Sequence, residues 1–464
     1  MNVLLEKFIL KPELELILNN SPSVVIPESK EMLFKLIFGN AATGSIDVVY
    51  DVDGKPVKEA SVARCKNGAV VNFTEDYMRR RDPDCMRISD DKPTDKPRFK
   101  DVYGYEFDSL QKDTYKWLAK QELILVPFMA GGHDYGYPAL LVCPRNAAFF
   151  AFALSLLQAF VNAKTVENFK PRAIVYVAPP FRHTHFNGRQ VCVHNRLDDC
   201  HEIYAYNLYP GPSAKKGIYS VLLDIGEQED WVTAHASAAR IITPYENEMV
   251  MMHEGASGGG KSELLQDVHR VSDGRVLLGV HRETGEHHYL SMSDTCTIHP
   301  VTDDMAICHP SFQSKSGKLA LYDGEDGWFL RVDGITAYGT DPMYERITIH
   351  SKEPLVFFNI EGVPDSTCLV WEHTLDSNGK PCPNPRVIVP RQQVDNIVTS
   401  PVEVDVRSFG VRMPPTTAAH PDYGIMGLMH IIPPVDLTIP ASAAILFWQV
   451  RALAPTGLLL LVKR

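Results

Sequence analysis

Gly255-Ala256-Ser257-Gly258-Gly259-Gly260-Lys261-Ser262 has the form G-x-x-x-x-G-K-[ST], the spacing of a phosphate-binding loop. Consecutive glycines let backbone N–H groups converge on an anion, the lysine reaches the outer phosphates, and the serine hydroxyl takes a place on a divalent cation. The flanks agree with this use. Glu248-Met249-Val250-Met251-Met252-His253 predicts a short strand running into the loop, and Ser262 to Val268 predicts the first turns of a helix leaving it. A helix N-terminus aimed at phosphate adds its partial positive charge to that of Lys261.

Working outward, the chain of 464 residues has length for two or three domains, and 45% apolar residues supply substantial cores. A net charge of -11 argues against a nucleic-acid surface and for a small anionic ligand held in a local basic cleft. The nine cysteines form no C-x-x-C pair, which favours reduced thiols and a cytoplasmic protein. Acidic residues enter too early after Met1 for a signal-peptide core. The most apolar run, Ala147 to Val161, is too short to span a bilayer and predicts a buried helix, so no membrane partner is expected.

Upstream of the loop, Ser29 to Phe38 predicts a helix and Ile46 to Tyr50 a strand. The segment from Glu75 to Lys100, with Arg79-Arg80-Arg81-Asp82, predicts a solvated loop because its charges alternate in sign. Strands at Leu123 to Pro127 and Ala173 to Ala178 alternate with helical patterns, the mark of an α/β chain. Three features taken singly have ordinary readings. Lys215 and Lys216 are a solvated pair, His235 among small residues is a hydrogen-bonded structural histidine, and Asp303-Asp304 at the end of a strand is either a capped turn or a seat for a nucleotide-bound cation. Arg386 opens a further strand.

In order, these features resemble the ATP-type phosphoenolpyruvate carboxykinases and the P-loop kinase superfamily that includes the HPr kinase/phosphorylases. The matching residues are Tyr209, then Lys215-Lys216-Gly217-Ile218-Tyr219-Ser220, His235-Ala236-Ser237-Ala238, the phosphate loop, and Asp303-Asp304. Asn384 to Pro390, Asp395-Asn396-Ile397-Val398 and Phe409-Gly410-Val411-Arg412-Met413-Pro414-Pro415 complete the series. The loop ending Gly260-Lys261-Ser262-Glu263 is closer to the HPr kinase form.

The resemblance implies an α/β, carboxykinase-like fold of mixed sheets and helices. Residues 1–238 would form a substrate-side domain and 239–464 a P-loop mononucleotide-binding domain that ends short of the family's adenine-binding segment. It also implies roles. Lys216, His235 and Asp304 would bind a transition metal such as Mn2+. Ser262, Asp303 and Asp304 would hold the Mg2+ of ATP or GTP on Gly255 to Ser262. Lys261 would stabilise the transferring phosphoryl group, Arg386 would pair with the anionic substrate or the terminal phosphate, Tyr209 would line the substrate pocket, and Lys215 would stand beside it.

Two departures redirect the substrate. The family's arginine-bearing Thr-Gly-Arg-Ser segment has its nearest counterpart at Ala42-Thr43-Gly44-Ser45-Ile46-Asp47, without the arginine, and Val332 to Gly339 lacks the family's phosphate-facing lysine. The leading expectation is therefore a metal-dependent kinase-like protein acting on a small anionic acceptor other than oxaloacetate. The alternatives are true carboxykinase activity and a nucleotide-binding or sensing protein without chemistry. The oligomeric state is not legible.

Overall fold

The computed structural model describes residues 3–39, 44–94, 96–254, 261–265, 273–291, 295–404, 409–410 and 430–431. The fold is mixed α/β, with several sheets and helices. It divides into two compact units, Met1–Glu229 with Gly324–Gln393, and Asp230–Asp323 with Val394–Arg451.

The first unit holds an eight-stranded and a six-stranded sheet. Along the main path of the larger, the strands run Val24–Val25, Leu123–Ala130, Tyr137–Pro144, Ala173–Val177, His201–Ala205, Cys192–Arg196 and Met86–Ile88. In the smaller they run Ser45–Val52, Lys55–Cys65, Gly68–Phe73, Leu355–Phe358, Arg386–Pro390 and Gly327–Arg331. The parallel pairing of Gly68–Phe73 with Leu355–Phe358 brings the returning segment into this sheet.

Helix Ala148–Leu157 is buried at every position. It packs on strands of both sheets and on helix Lys30–Phe38. A helix apolar all round has no face to give to water, and between two sheets it needs none. Helix Lys30–Phe38 begins where expected, because the Ser29 hydroxyl accepts from the Met32 N–H at 3.2 Å and satisfies one orphan donor of the first turn. No described helix is long and apolar enough to cross a membrane.

The segment from Glu75 to Lys100 departs from the solvated loop expected of it. Arg79 and Asp82 are buried, and Arg79 and Arg80 both hold Asp376, at 3.0 and 2.6 Å. Both guanidinium groups are thus held by a residue distant in sequence, and Arg79 also by Asp76 at 3.1 Å.

The second unit is built of antiparallel strands. One sheet orders Val232–Ala234, Ala306–Cys308, Leu319–Asp323 and Val402–Val404, and another orders Glu248–Glu254, Ala236–Ile242 and Thr297–Thr302. Small and branched side chains, including Ala236, Ala238, Val301, Ala306 and Val402, make its core.

Candidate functional site

The second unit gathers its site at a break in a ladder. The stretch entering through Val232–Ala234 pairs with Ala306–Cys308, and its continuation Ala236–Ile242 pairs with Thr297–Thr302. The last pair of one ladder is Ala234 with Ala306 and the first of the other is Ala238 with Thr302, so His235 and Asp303-Asp304 fall in the gap. Their side chains are released from the regular alternation of a sheet and meet there. The turn is closed by Thr302, whose hydroxyl is 2.9 Å from the Met305 carbonyl and 3.1 Å from an Asp323 carboxylate oxygen.

Five of the residues singled out in the sequence come together at this gap. His235 Nε2 lies 2.8 Å from Asp304 Oδ1, and Lys261 Nζ lies 3.3 Å from the same oxygen. Ser262 donates its hydroxyl to Asp303 Oδ1 at 2.7 Å. Lys261, Asp303 and Asp304 are buried. Ser262 opens the short 3-10 turn Ser262–Leu265, which packs on strands Ala236–Ile242 and Thr297–Thr302. The expected strand before the loop is present as Glu248–Glu254. Gly255 to Gly260, and the continuation of the expected helix from Gln266 to Val268, lie outside the described residues.

Two carboxylates, an imidazole and a hydroxyl form an oxygen-rich donor set suited to a hard divalent cation beside phosphate. Among the described residues no group of three His, Cys, Asp or Glu side chains is placed to hold a metal by itself. A cation seated here would complete its shell with phosphate oxygens, the Ser262 hydroxyl and water.

The other expected residues belong to the first unit. Tyr209 packs against the rings of Phe73, Phe329 and Phe358, and its hydroxyl accepts from Asn384 Nδ2 at 3.1 Å. Arg386 does open a strand, Arg386–Pro390. Its Nε donates to Asn384 Oδ1 at 2.8 Å, its Nη1 donates to the Phe329 carbonyl at 3.2 Å, and the guanidinium lies over the Phe329 ring at 5.5 Å. Asn384 thus aims both Tyr209 and Arg386, a role its place in the sequence does not announce. Lys215 ends a π-helical turn, Gly211–Lys215, and is 3.5 Å from the buried carboxylate of Glu325. Neither lysine is the solvated surface group that its charge alone suggests. Lys216 begins helix Lys216–Gln228, with its ammonium 5.3 Å from the Tyr219 ring centroid.

A family model described as Domain of unknown function (DUF4914) matches residues 10–457. The chain belongs to the DUF4914 family. No curated protein matches it.

One residue of this DUF4914 chain was missed in the sequence although it directly precedes the loop. Glu254 ends its strand opposite Ala236, on the face shared with Met252, and its Oε1 is buried with no hydrogen-bond partner among the described residues. Burial raises its carboxyl to about 7, against a smaller opposing pull from Lys261. A glutamate directly before the loop, two residues after Met252 and on the same face of the strand, was the available signal.

The sign of the consequence follows from proton counting. Between its ordinary value of 4.5 and about 7, Glu254 holds a proton in the folded chain that the unfolded chain has released. Stability therefore falls as pH rises across that window, by about 3 kcal/mol for this group. Glu254→Gln should flatten that part of the profile, as read by urea unfolding at intervals across it. A variant whose profile superimposes on that of the parent chain would contradict this assignment.

Proposed function

We propose that this chain binds ATP or GTP at Gly255 to Ser262 and moves a phosphoryl group to or from a small anionic acceptor, on a carboxykinase-like P-loop fold. The single observation that carries the reading is the convergence of Lys261, Ser262, His235, Asp303 and Asp304. A strand-end aspartate paired with the loop serine is the arrangement from which P-loop proteins seat a nucleotide-bound cation.

Bound Mg2+ or Mn2+ would neutralise phosphate charge and polarise the phosphoryl group. Ser262, Asp303 and Asp304 would hold the Mg2+ of the nucleotide, and His235 with Asp304 would contribute to a site for a transition metal such as Mn2+. Lys261 neutralises charge on the equatorial oxygens of the transferring group. Catalysis is then mainly positioning and electrostatics, which is what phosphoryl transfer asks of a protein. In the first unit, Arg386, oriented by Asn384, is the candidate for gripping an anionic group, and Tyr209 and Lys215 are the other candidate substrate-side residues of that unit. The role of Lys216 as a metal ligand rests on the resemblance alone.

The test is nucleoside diphosphate release from ATP and GTP with Mg2+ and Mn2+ both present, against a panel of small hydroxy and phospho acids that includes oxaloacetate. Metal-dependent release stimulated by an acceptor other than oxaloacetate is expected. Stimulation by oxaloacetate would assign true carboxykinase activity, and binding without turnover would leave a nucleotide-binding protein without chemistry. Asp303→Asn should weaken the metal–nucleotide complex about ten- to a hundredfold while changing metal-free nucleotide binding little. Equal weakening of both forms in calorimetry would remove Asp303 from the cation site.

A further inference from the structure

Strand Cys192–Arg196 turns Cys192, His194 and Arg196 to one face of the eight-stranded sheet, and its antiparallel partner His201–Ala205 turns His201, opposite Arg196, to the same face. Helix Lys216–Gln228 packs on both strands and brings Asp224 over them. The result is a buried chain of side chains. His201 Nδ1 lies 3.1 Å from Asp224 Oδ2, His201 Nε2 lies 2.9 Å from His194 Nδ1, and His194 Nε2 lies 3.7 Å from the Cys192 sulfur. His194 is 1% and His201 2% exposed. These distances fix the protons. A neutral imidazole has one N–H and one acceptor nitrogen. With the Nδ1–H of His201 given to the Asp224 carboxylate, its Nε2 accepts from His194 Nδ1–H, and His194 Nε2 accepts from the Cys192 thiol. Every link is made with both rings neutral. Charging both rings would set two N–H groups against each other across 2.9 Å in a buried site.

The neighbouring groups give the extra charge no partner. Arg196, on the same face, is held by Asp90 at 2.7 Å and repels a charged His194. Asp224 is faced by His201, by Gln228 one turn on, and by Lys92, which is itself 3.3 Å from Asp198. From the edge of strand Met86–Ile88, the Cys85 carbonyl accepts the Cys192 N–H at 2.8 Å, and Arg87 pairs with Val193 on the opposite face. Strands Leu123–Ala130 and Ala173–Val177 contain no acid, base or histidine. We propose that the His194–His201 pair is an acid-operated latch between helix Lys216–Gln228 and the eight-stranded sheet, closed while both rings are neutral and loosened when acid charges them. Lys215 and Lys216 stand at the start of this helix, with Lys215 3.5 Å from Glu325, so the latch governs how firmly the substrate-side lysines are held. The inference stands on the first unit alone and is independent of the nucleotide reading. Its sign follows from proton counting. Burial, then His201 and Arg196, hold His194 well below its ordinary value of 6.5, to which the opened segment returns. The open form therefore binds more protons, and opening is favoured as pH falls below about 6.5, about tenfold per unit for one proton.

The experiment is hydrogen–deuterium exchange of the full chain from about pH 7 to about pH 5, read peptide by peptide and corrected for the intrinsic pH dependence of amide exchange. Protection of helix Lys216–Gln228 is expected to fall about tenfold per unit below about pH 6.5. Helix Ala148–Leu157, which carries no ionisable side chain, should keep its protection over the same range. His194→Gln, which can still donate to His201 but takes up no proton, should flatten the dependence in helix Lys216–Gln228. Equal loss of protection in both helices, or a helix Lys216–Gln228 as well protected at the acid end as at the neutral end, overturns the inference. So does a His194→Gln chain that keeps the dependence of the parent. The comparison of the two helices in the parent chain decides even where the variant does not fold.

Discussion

Lys261→Ala is expected to lower metal-dependent nucleotide turnover about a hundred- to a thousandfold, the range seen when one preorganised charge-stabilising donor is removed from a water-excluded site. Lys261 is buried and its ammonium is 3.3 Å from Asp304, so its charge acts in a medium that screens it little. A bulk-exposed lysine would be worth far less. The same substitution should cost the fold comparatively little, because Asp304 keeps His235 as a partner at 2.8 Å. Circular dichroism and thermal unfolding separate the two effects. A well-folded Lys261→Ala chain turning over nucleotide at the full rate would sink the proposed function, since nothing else in the loop can supply that charge. Lys261→Arg is the sharper control. It keeps the charge and changes the shape, so partial activity is expected where alanine gives almost none.

The second large effect concerns stability and lies in the first unit. Arg182, on the short helix Phe181–His185, is 1% exposed and sits between two glutamates. Its Nη2 is 3.0 Å from Glu59 Oε2 and 2.8 Å from Glu75 Oε1, its Nη1 is 3.2 Å from Glu75 Oε2, and Nη1 also donates to the Gly188 carbonyl. Glu59, also 1% exposed, belongs to strand Lys55–Cys65 of the six-stranded sheet and meets His183 as well, at 2.5 Å. Removing the guanidinium leaves the buried Glu59 carboxylate with the His183 imidazole as its side-chain partner among the described residues. Arg182→Ala should therefore cost about 3–5 kcal/mol, the usual result of breaking a buried pair from one side. Arg182→Lys should recover only part of this, because an ammonium cannot serve both carboxylates with a planar fork. The double variant Arg182→Ala/Glu59→Gln should be more stable than Arg182→Ala alone, since it removes the orphaned charge too. Urea unfolding followed by a probe in this unit measures these together with Glu59→Gln alone, and additivity of Arg182→Ala and Glu59→Gln in the double variant would refute the coupling.

Much of the local structure was legible in the order of residues. The helical pattern Ser29 to Phe38 became helix Lys30–Phe38, and the apolar run Ala147 to Val161 yielded helix Ala148–Leu157 followed by a two-residue strand. Asp303-Asp304 follows strand Thr297–Thr302 directly, and Arg386 opens its strand. These features depend on caps, periodicity and strand ends, interactions that a few neighbouring residues decide among themselves.

Interactions across long separations were not legible. The pairing of Arg79 and Arg80 with Asp376 could not be read from alternating signs, because a charged run looks the same whether water or a distant carboxylate answers it. Nor could the parallel pairing of Gly68–Phe73 with Leu355–Phe358, which carries Gly324–Gln393 into the first unit. The setting of Glu254 was equally hidden, since its apolar surroundings come from strands beginning at Ala236, Ala306 and Val402.

The same division runs through the candidate site. By itself the sequence determined which groups are available: a G-x-x-x-x-G-K-S loop, a histidine among small residues, two aspartates ending a strand and an arginine beginning one. Only the tertiary structure decided that His235, Lys261 and Asp304 share one carboxylate oxygen and that Ser262 reaches Asp303. The reason is register. Residues so far apart in the chain meet where two antiparallel ladders stop short of one another, and pairing register is set by whole strands and the core they bury, not by the residues left in the gap.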